Sequence, residues 1–497
     1  MMNRPVLTAF LIACLLVVGA RIGSGPAAAD TCGTPLSAVP TSTTYLPNVT
    51  KTLGGPTGWQ TPFIVQNTGS LTTDLEVSFY RFSDGSCVVR RIITNVMPGT
   101  SYADVPNNDT DLPDNGQFSV VVRSFGAKIV SVVNEHQGTG ARAEAMAYDA
   151  FNSGATTVYL PNVVRRFFGF VTPFVIQNLG TNTDTVTATF VSFDGSVPTV
   201  TITRLIASGR SQFVDPNSEA GLVDGKQYSV TVTAPEPIAV VVNSHQDSAN
   251  IAAPLAYSTD GISAGAATVY GPYAAKNAGG VGRVSTIVVQ NVGATAATPS
   301  IGFVALAGSG GQDQTVTSSV AIAPGAAWAF DPRFAFGTTT PCSGASSTCL
   351  GDGEYSFVAT AAGGRVAAIV NIISSATAMG YTASPSPSGR VFLPNITRTL
   401  GGSDGWTTPI LLQSATATGA TLKWYRFSDG QLAFIQTVAI PAGRGIRVDP
   451  RDVTGLADNA QYSVVAEGTG GTIVAVVTEL AAGGDNAMAY EGFPDSP

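Results

Sequence analysis

The feature that most constrains this chain is internal repetition on the scale of a whole domain. A segment opening with YLPNV at Tyr45 recurs as YLPNV at Tyr159, YGPYA at Tyr270 and FLPNI at Phe392. Each opening is followed by a matching apolar word: TPFIVQNTG from Thr61, TPFVIQNLG from Thr172, STIVVQNVG from Ser285 and TPILLQSAT from Thr408. Turn words of the type SFDG or RFSDG come next in three of the four units, at Tyr80, Ser192 and Tyr425. Two more landmarks close each unit: LPDNGQFSVVV from Leu112, with counterparts at Leu222, Leu350 and Leu456, and KIVSVVNEHQ from Lys128, with counterparts at Pro237, Arg365 and Thr472. Five landmarks in one order define a tandem array, and a period of roughly 110–120 residues is that of domains rather than of solenoid units.

Each unit contains about eight short runs rich in Val, Ile, Thr, Phe and Tyr, bounded by Gly, Pro, Asn and Asp, which is the pattern of an all-β protein. No window of helical length carries a capped i, i+3, i+4 apolar stripe, so helices should be scarce. Runs such as Phe118 to Val122 and Ile129 to Val133 are apolar without clean alternation, as expected of strands inside a sheet. The long returns between runs imply Greek-key wiring.

The words L-x-D-x-x-x-[YF]-S-V resemble the tyrosine corner of immunoglobulin-like sandwiches, with Tyr228, Tyr355 and Tyr462 in the corner role and Phe118 able only to pack. From Tyr45 to Phe493 the chain resembles the tandem immunoglobulin-like modules of secreted and cell-surface bacterial proteins. The resemblance implies an all-β fold of four immunoglobulin-like antiparallel β-sandwiches, at 44–152, 157–261, 268–383 and 390–493, strung as an elongated array. The brief connections, above all the proline-bearing SPSPSG from Ser384 to Gly389, read as extended linkers at which proteolysis should release intact fragments.

The N-terminus has a basic start, an apolar run from Pro5 to Ala20 and small residues up to Ala29, the pattern of a secretory signal over 1–29 followed by an extension over 30–43. A lipoprotein box ending at Cys14 is disfavoured, because apolar sequence continues past the cysteine. No later segment has the length and apolarity of a membrane span. Charged residues make up 12% of the chain and the formal net charge is −8, which offers no electrostatic footprint for nucleic acid or anionic membranes.

Four cysteines remain after the leader. Cys342 and Cys349 flank an insertion found only in the third repeat, and Cys32 and Cys87 are then left to tie the extension to the first, as an oxidising compartment favours. His136 and His245 share one repeat position, but the other repeats lack it and no ligand set surrounds it, so it reads as an exposed imidazole. Asp109, Asp111 and Asp114 form the densest oxygen-ligand cluster, a weak Ca2+ candidate without EF-hand spacing and more simply a solvated turn. Trp59 and Trp406 share a repeat position and could stack on a sugar, although packing over a sandwich edge or the next domain is the simpler reading.

No nucleophile elbow, carboxylate pair, phosphate loop or zinc spacing is present in the sequence, so no catalytic residue or cofactor is expected. The expectation is a non-catalytic secreted structural or adhesive protein of the cell surface or matrix. Its partners would be envelope components, glycans or further copies of itself. A carbohydrate-binding protein and an accessory chain of a secreted enzyme complex are the alternatives.

Overall fold

A computed structural model describes Cys32 and residues 34–246, 251–342 and 344–495; the secretory signal read over 1–29 lies outside the described residues. Among the described residues the regular structure is β-strand, with four single-turn 3-10 segments and no α-helix.

The first repeat contains β1 (Ser42–Lys51), β2 (Phe63–Asn67), β3 (Thr73–Arg81), β4 (Cys87–Val96), β5 (Ser101–Asp104), β6 (Gly116–Ser124), β7 (Ile129–Gln137) and β8 (Glu144–Asp149). They form two antiparallel sheets, in the orders β1-β6-β3-β4 and β5-β2-β7-β8. Leu46, Phe79, Phe118 and Val120 from the first sheet meet Phe63, Val65, Val133 and Tyr148 from the second in one buried cluster. The other repeats follow the same wiring; in the second, the sixth and seventh strands run on as a single strand, Lys226–Gln246, that serves both sheets.

An immunoglobulin domain pairs its second strand with its fifth and its third with its sixth, and both pairings are present here. The outer positions differ: the first strand lies beside the sixth, and the seventh beside the second. The corner tyrosines act as the resemblance implied. Tyr228 and Tyr462 accept from the amides of Val223 and Ala457 at 2.8 and 2.9 Å, and Tyr355 donates to Gly351 O at 2.6 Å. Phe118 packs edge-on against Phe79. At the S-D-G and F-D-G turns, Gly85, Gly195 and Gly430 have φ of 72°, 63° and 67°, a region that favours glycine.

The strongest departure from expectation is in how the repeats meet. A sheet with one face to solvent should alternate apolar and polar residues, yet every residue of β2 is buried and β7 is buried from Ile129 to Glu135. The second face is covered by the preceding repeat. Val175 and Val241 of repeat two join the core cluster of repeat one, Val288 and Ile369 of repeat three cluster with Tyr159 and Phe193 of repeat two, and Leu411 and Val476 of repeat four join repeat three. The equivalent residues of repeat one, Ile64 and Val132, join the core cluster of repeat four. The last strands of the four repeats likewise touch in cyclic order, fourth to first included.

The array is therefore a closed ring and not the elongated string expected from the short connections. The 384–389 segment is pinned at both ends, with a two-way backbone bridge from Ser384 to Tyr270 and another from Ser388 to Ile473. Disulfides join Cys32 to Cys87 and Cys342 to Cys349.

Closure changes the expected outcome of proteolysis. A chain nicked between residues 384 and 389 should elute from a native sizing column with the intact protein and separate only in denaturant. Release of a repeat-four fragment without denaturant would contradict the ring.

Candidate functional site on the ring axis

The words shared by all four repeats build the joints of the ring as well as the core. At each joint a Gln amide and a Ser hydroxyl converge on one glycine carbonyl. Gln66 Nε2 donates to Gly99 O at 3.0 Å while Ser463 Oγ of repeat four donates to the same oxygen at 2.7 Å. Gln177 and Ser119 meet at Gly209, Gln290 and Ser229 at Gly325, and Gln413 and Ser356 at Gly443. The Gln follows Val, Ile or Leu in the second landmark word and the Ser follows the Phe or Tyr of the corner word, each repeat clasping the one before it.

Two joints add a buried carboxylate. Glu135 accepts from Asn48 Nδ2 of its own repeat at 3.3 Å and from Asn243 Nδ2 of repeat two at 3.1 Å. Glu479 accepts from Asn395 Nδ2 and, across the closing joint, from Asn134 Nδ2 of repeat one at 3.0 Å. Burial raises Glu135 to about 7 and Glu479 to about 8, against the lowering pull of the asparagine amides. The corresponding positions of repeats two and three hold Ser244 and Ile372, so the device is confined to both joints of repeat one.

The centre is formed by β8 and its counterparts, Ala256–Asp260, Ala378–Thr382 and Ala487–Glu491. Alternation directs one side of each strand to the axis, where Ala145, Ala256, Ala378 and Ala487 share one level and Ala147, Ser258, Gly380 and Ala489 the next. All of these side chains are small, which permits the close approach. A Cβ at Gly380 would lie 2.7 Å from Ser258 O and 2.8 Å from the Tyr257 ring.

Acids occupy both ends of this packed centre. At one end Asp485 of repeat four touches all three other repeats: its amide donates to Ala143 O, and its carboxylate accepts from the amides of Ala256 and Ala378 at 2.6 and 2.7 Å. Burial raises it to about 8 despite those donors. At the other end the equivalent positions are Asp149, Asp260, Thr382 and Glu491. Ligand oxygens of Asp149, Asp260 and Glu491 all lie within 4.8 Å of one another. The amide of Asp149 donates to Asp260 at 3.2 Å, and the Thr382 amide donates to Glu491. Burial, then repulsion from Glu491, holds Asp149 and Asp260 well above the usual carboxylate range, and burial raises Glu491 to about 7.

The residues singled out from sequence have other places. Asp109 pairs with Arg91, and Asp114 pairs with Lys51 at 3.1 Å, whose ammonium also donates to the carbonyls of Asp109 and Leu112. Arg165, Lys276 and Arg398 enter the equivalent loops of the other repeats in the same way. At the weak Ca2+ candidate of Asp109, Asp111 and Asp114, basic side chains thus stand beside Asp109 and Asp114. Trp406 is half-buried and meets His136 of repeat one edge-on at 5.3 Å, and Trp59 is half-buried in a hairpin closed by its bridge to Leu53. His136 is not the exposed imidazole expected: its Nε2 is enclosed, and burial lowers it to about 4. The axial acids were missed because residues so far apart in sequence converge only when the ring closes.

Two variants test this geometry. Gly380→Ala should destabilise the protein by roughly 1–3 kcal/mol through overpacking at the axis, measured by chemical denaturation. The raised carboxylates are protonated in the fold above the pH at which they ionise in the unfolded chain, so their stabilisation is complete below about pH 4.5 and fades as pH rises through about 7 to 8. The protein should therefore be less stable at about pH 8.5 than at about pH 5, and Glu479→Gln should reduce that difference by on the order of 1–3 kcal/mol. An unchanged pH dependence in the variant would refute the role of this joint.

No family model and no curated protein matches the sequence. Among solved structures the chain is similar, at 10% identity, to a tetra-tandem repeat from the extending region of a large adhesion protein, with 86% of this chain and 94% of that one covered and a TM-score of 0.11. It is also similar, at 10% identity, to the pilus adhesin SpaC from Lactobacillus rhamnosus GG in its open conformation, covering 88% of this chain and 57% of that one with a TM-score of 0.09. Likenesses of that size carry no argument about fold or role.

Proposed function

We propose that this chain is an exported, non-catalytic structural or adhesive protein of the bacterial cell surface or matrix, made of four immunoglobulin-like β-sandwiches closed into a ring. The observation that carries the reading is the destination of the shared words. They build the cores, the tyrosine corners and the Gln-Ser-Gly joints, whereas the loops that differ between repeats lie outside them. A sequence constrained in this way maintains a rigid platform and varies what the platform displays.

The two disulfides fit an oxidising, extracellular location. No helix among the described residues is long and apolar enough to cross a membrane. Attachment would then run through envelope or matrix components, glycans or further copies of the chain. Engagement of Trp406 by His136 weighs against the glycan-stacking alternative, since a ring packed into a joint has less surface for a sugar.

Fractionation of native cells, paired with a glycan array on the purified chain, tests the proposal. Recovery in the envelope or sheath without sugar binding is the expected outcome. Sugar binding abolished by Trp59→Ala in a variant that remains folded would replace the proposal with a lectin-like role, and a cytoplasmic location would end it.

A further inference from the structure

We propose that Asp149, Asp260 and Glu491 constitute a single binding site for a hard divalent cation of the Ca2+ class on the ring axis, joining repeats one, two and four.

Three observations converge on the site. The ligand oxygens lie within 4.8 Å of one another, no farther apart than opposite oxygens around a Ca2+ ion at about 2.4 Å. Asp149 Oδ1 is enclosed by protein and accepts no hydrogen bond, a costly arrangement for a carboxylate that nothing neutralises. Among the described residues, no Lys or Arg forms an ion pair with any of the three. The contrast with Asp109 and Asp114 is direct, because there Arg91 and Lys51 occupy the position a cation would take.

The ring architecture explains why the acids stay together. Each ends a strand that is hydrogen-bonded within its own sheet, and the alanine and glycine levels beneath leave little freedom to splay. Amides at the same level are already committed, that of Asp149 to Asp260 and that of Thr382 to Glu491, and these contacts orient the carboxylates. The Thr382 hydroxyl sits 3.5 Å from Asp260 O beside the cluster. The donor set is all oxygen, which suits Ca2+ rather than zinc or copper, and its remaining coordination positions would be filled by water or backbone carbonyls. Bound there, the ion would exchange mutual repulsion between repeats for shared attraction, making ring stability dependent on cation concentration.

Tyr148, Tyr381 and Tyr490 precede Asp149, Thr382 and Glu491 in their strands and provide an optical probe of the site. The mature protein, stripped with chelator and dialysed at about pH 7.5, would be titrated with Tb3+ under tyrosine excitation and then with Ca2+, and unfolding would be followed with and without about 1 mM Ca2+. The expected result is saturable Tb3+ emission displaced by Ca2+, and a higher unfolding midpoint with Ca2+. Asp149→Asn/Asp260→Asn, which removes charge at nearly constant shape, should weaken binding by on the order of tenfold or more and abolish the Ca2+-dependent shift while remaining folded by circular dichroism. Asp111→Asn should leave both signals unchanged. If the wild-type chain shows neither signal, protons alone neutralise the cluster and the proposal is wrong. It is equally overturned if the double variant binds as tightly as the wild type, or if Asp111→Asn removes binding.

Discussion

The two-sided burial of the sheet β5-β2-β7-β8 and its counterparts is the constraint on which the rest of this structure depends. One face closes its own repeat's core, and the other, bearing Ile64 and Val132 or Val175 and Val241, closes against the preceding repeat. In an open string, one terminal repeat would present that second face to water, and large contiguous apolar patches are rare on isolated soluble domains. Closure removes the problem by giving repeat one the same cover that every other repeat has. The Gln-Ser-Gly contacts then satisfy polar groups inside joints where water is displaced, and fix the register at which neighbours meet.

Bringing four strands to one axis imposes two further requirements. Side chains there must be small, which Ala145, Ser258, Gly380 and Ala489 fulfil, and charge at the ends must be compensated. The two ends resolve the second requirement differently. Asp485 is met by backbone amides of two other repeats, which pull against the burial that raises it to about 8. Asp149, Asp260 and Glu491 face one another, so their environment favours protons or a bound cation. Exchange of the outer strands relative to the immunoglobulin order also bears on this centre: it places the seventh strand beside the second and the eighth at the sheet edge, where it can reach the axis.

Much of the fold was legible in the sequence, and for identifiable reasons. Periodic apolar runs and S-D-G turns report local backbone preference, so strands and turns could be read without tertiary information. The corner tyrosines were legible because their hydroxyls bind backbone only four or five residues away. Cys342 and Cys349 were legible because the insertion that separates them is short. Packing was the simpler reading for Trp406, but its partner was not legible, since His136 reads as an exposed imidazole near a strand end and the contact spans the joint between repeats four and one. The poor alternation of β6 and β7 was visible and marked strands inside a sheet, as they are; that a neighbouring repeat covers the second face of β7 could not be read from one repeat considered alone.

By itself the sequence determined that this is a repetitive all-β chain with two local or extension-tying cysteine pairs and cores closed by corner tyrosines, because each of those features depends on patterns within one repeat. Only the tertiary structure decided that the repeats form a ring, that Gln66 clasps Gly99 beside Ser463, and that Asp149, Asp260 and Glu491 share one small space. The physical reason is rotational closure. A joint between successive repeats is a relation between neighbours in the chain, but whether the last repeat reaches the first depends on small angles accumulated over all four joints, and no single residue or motif encodes that sum.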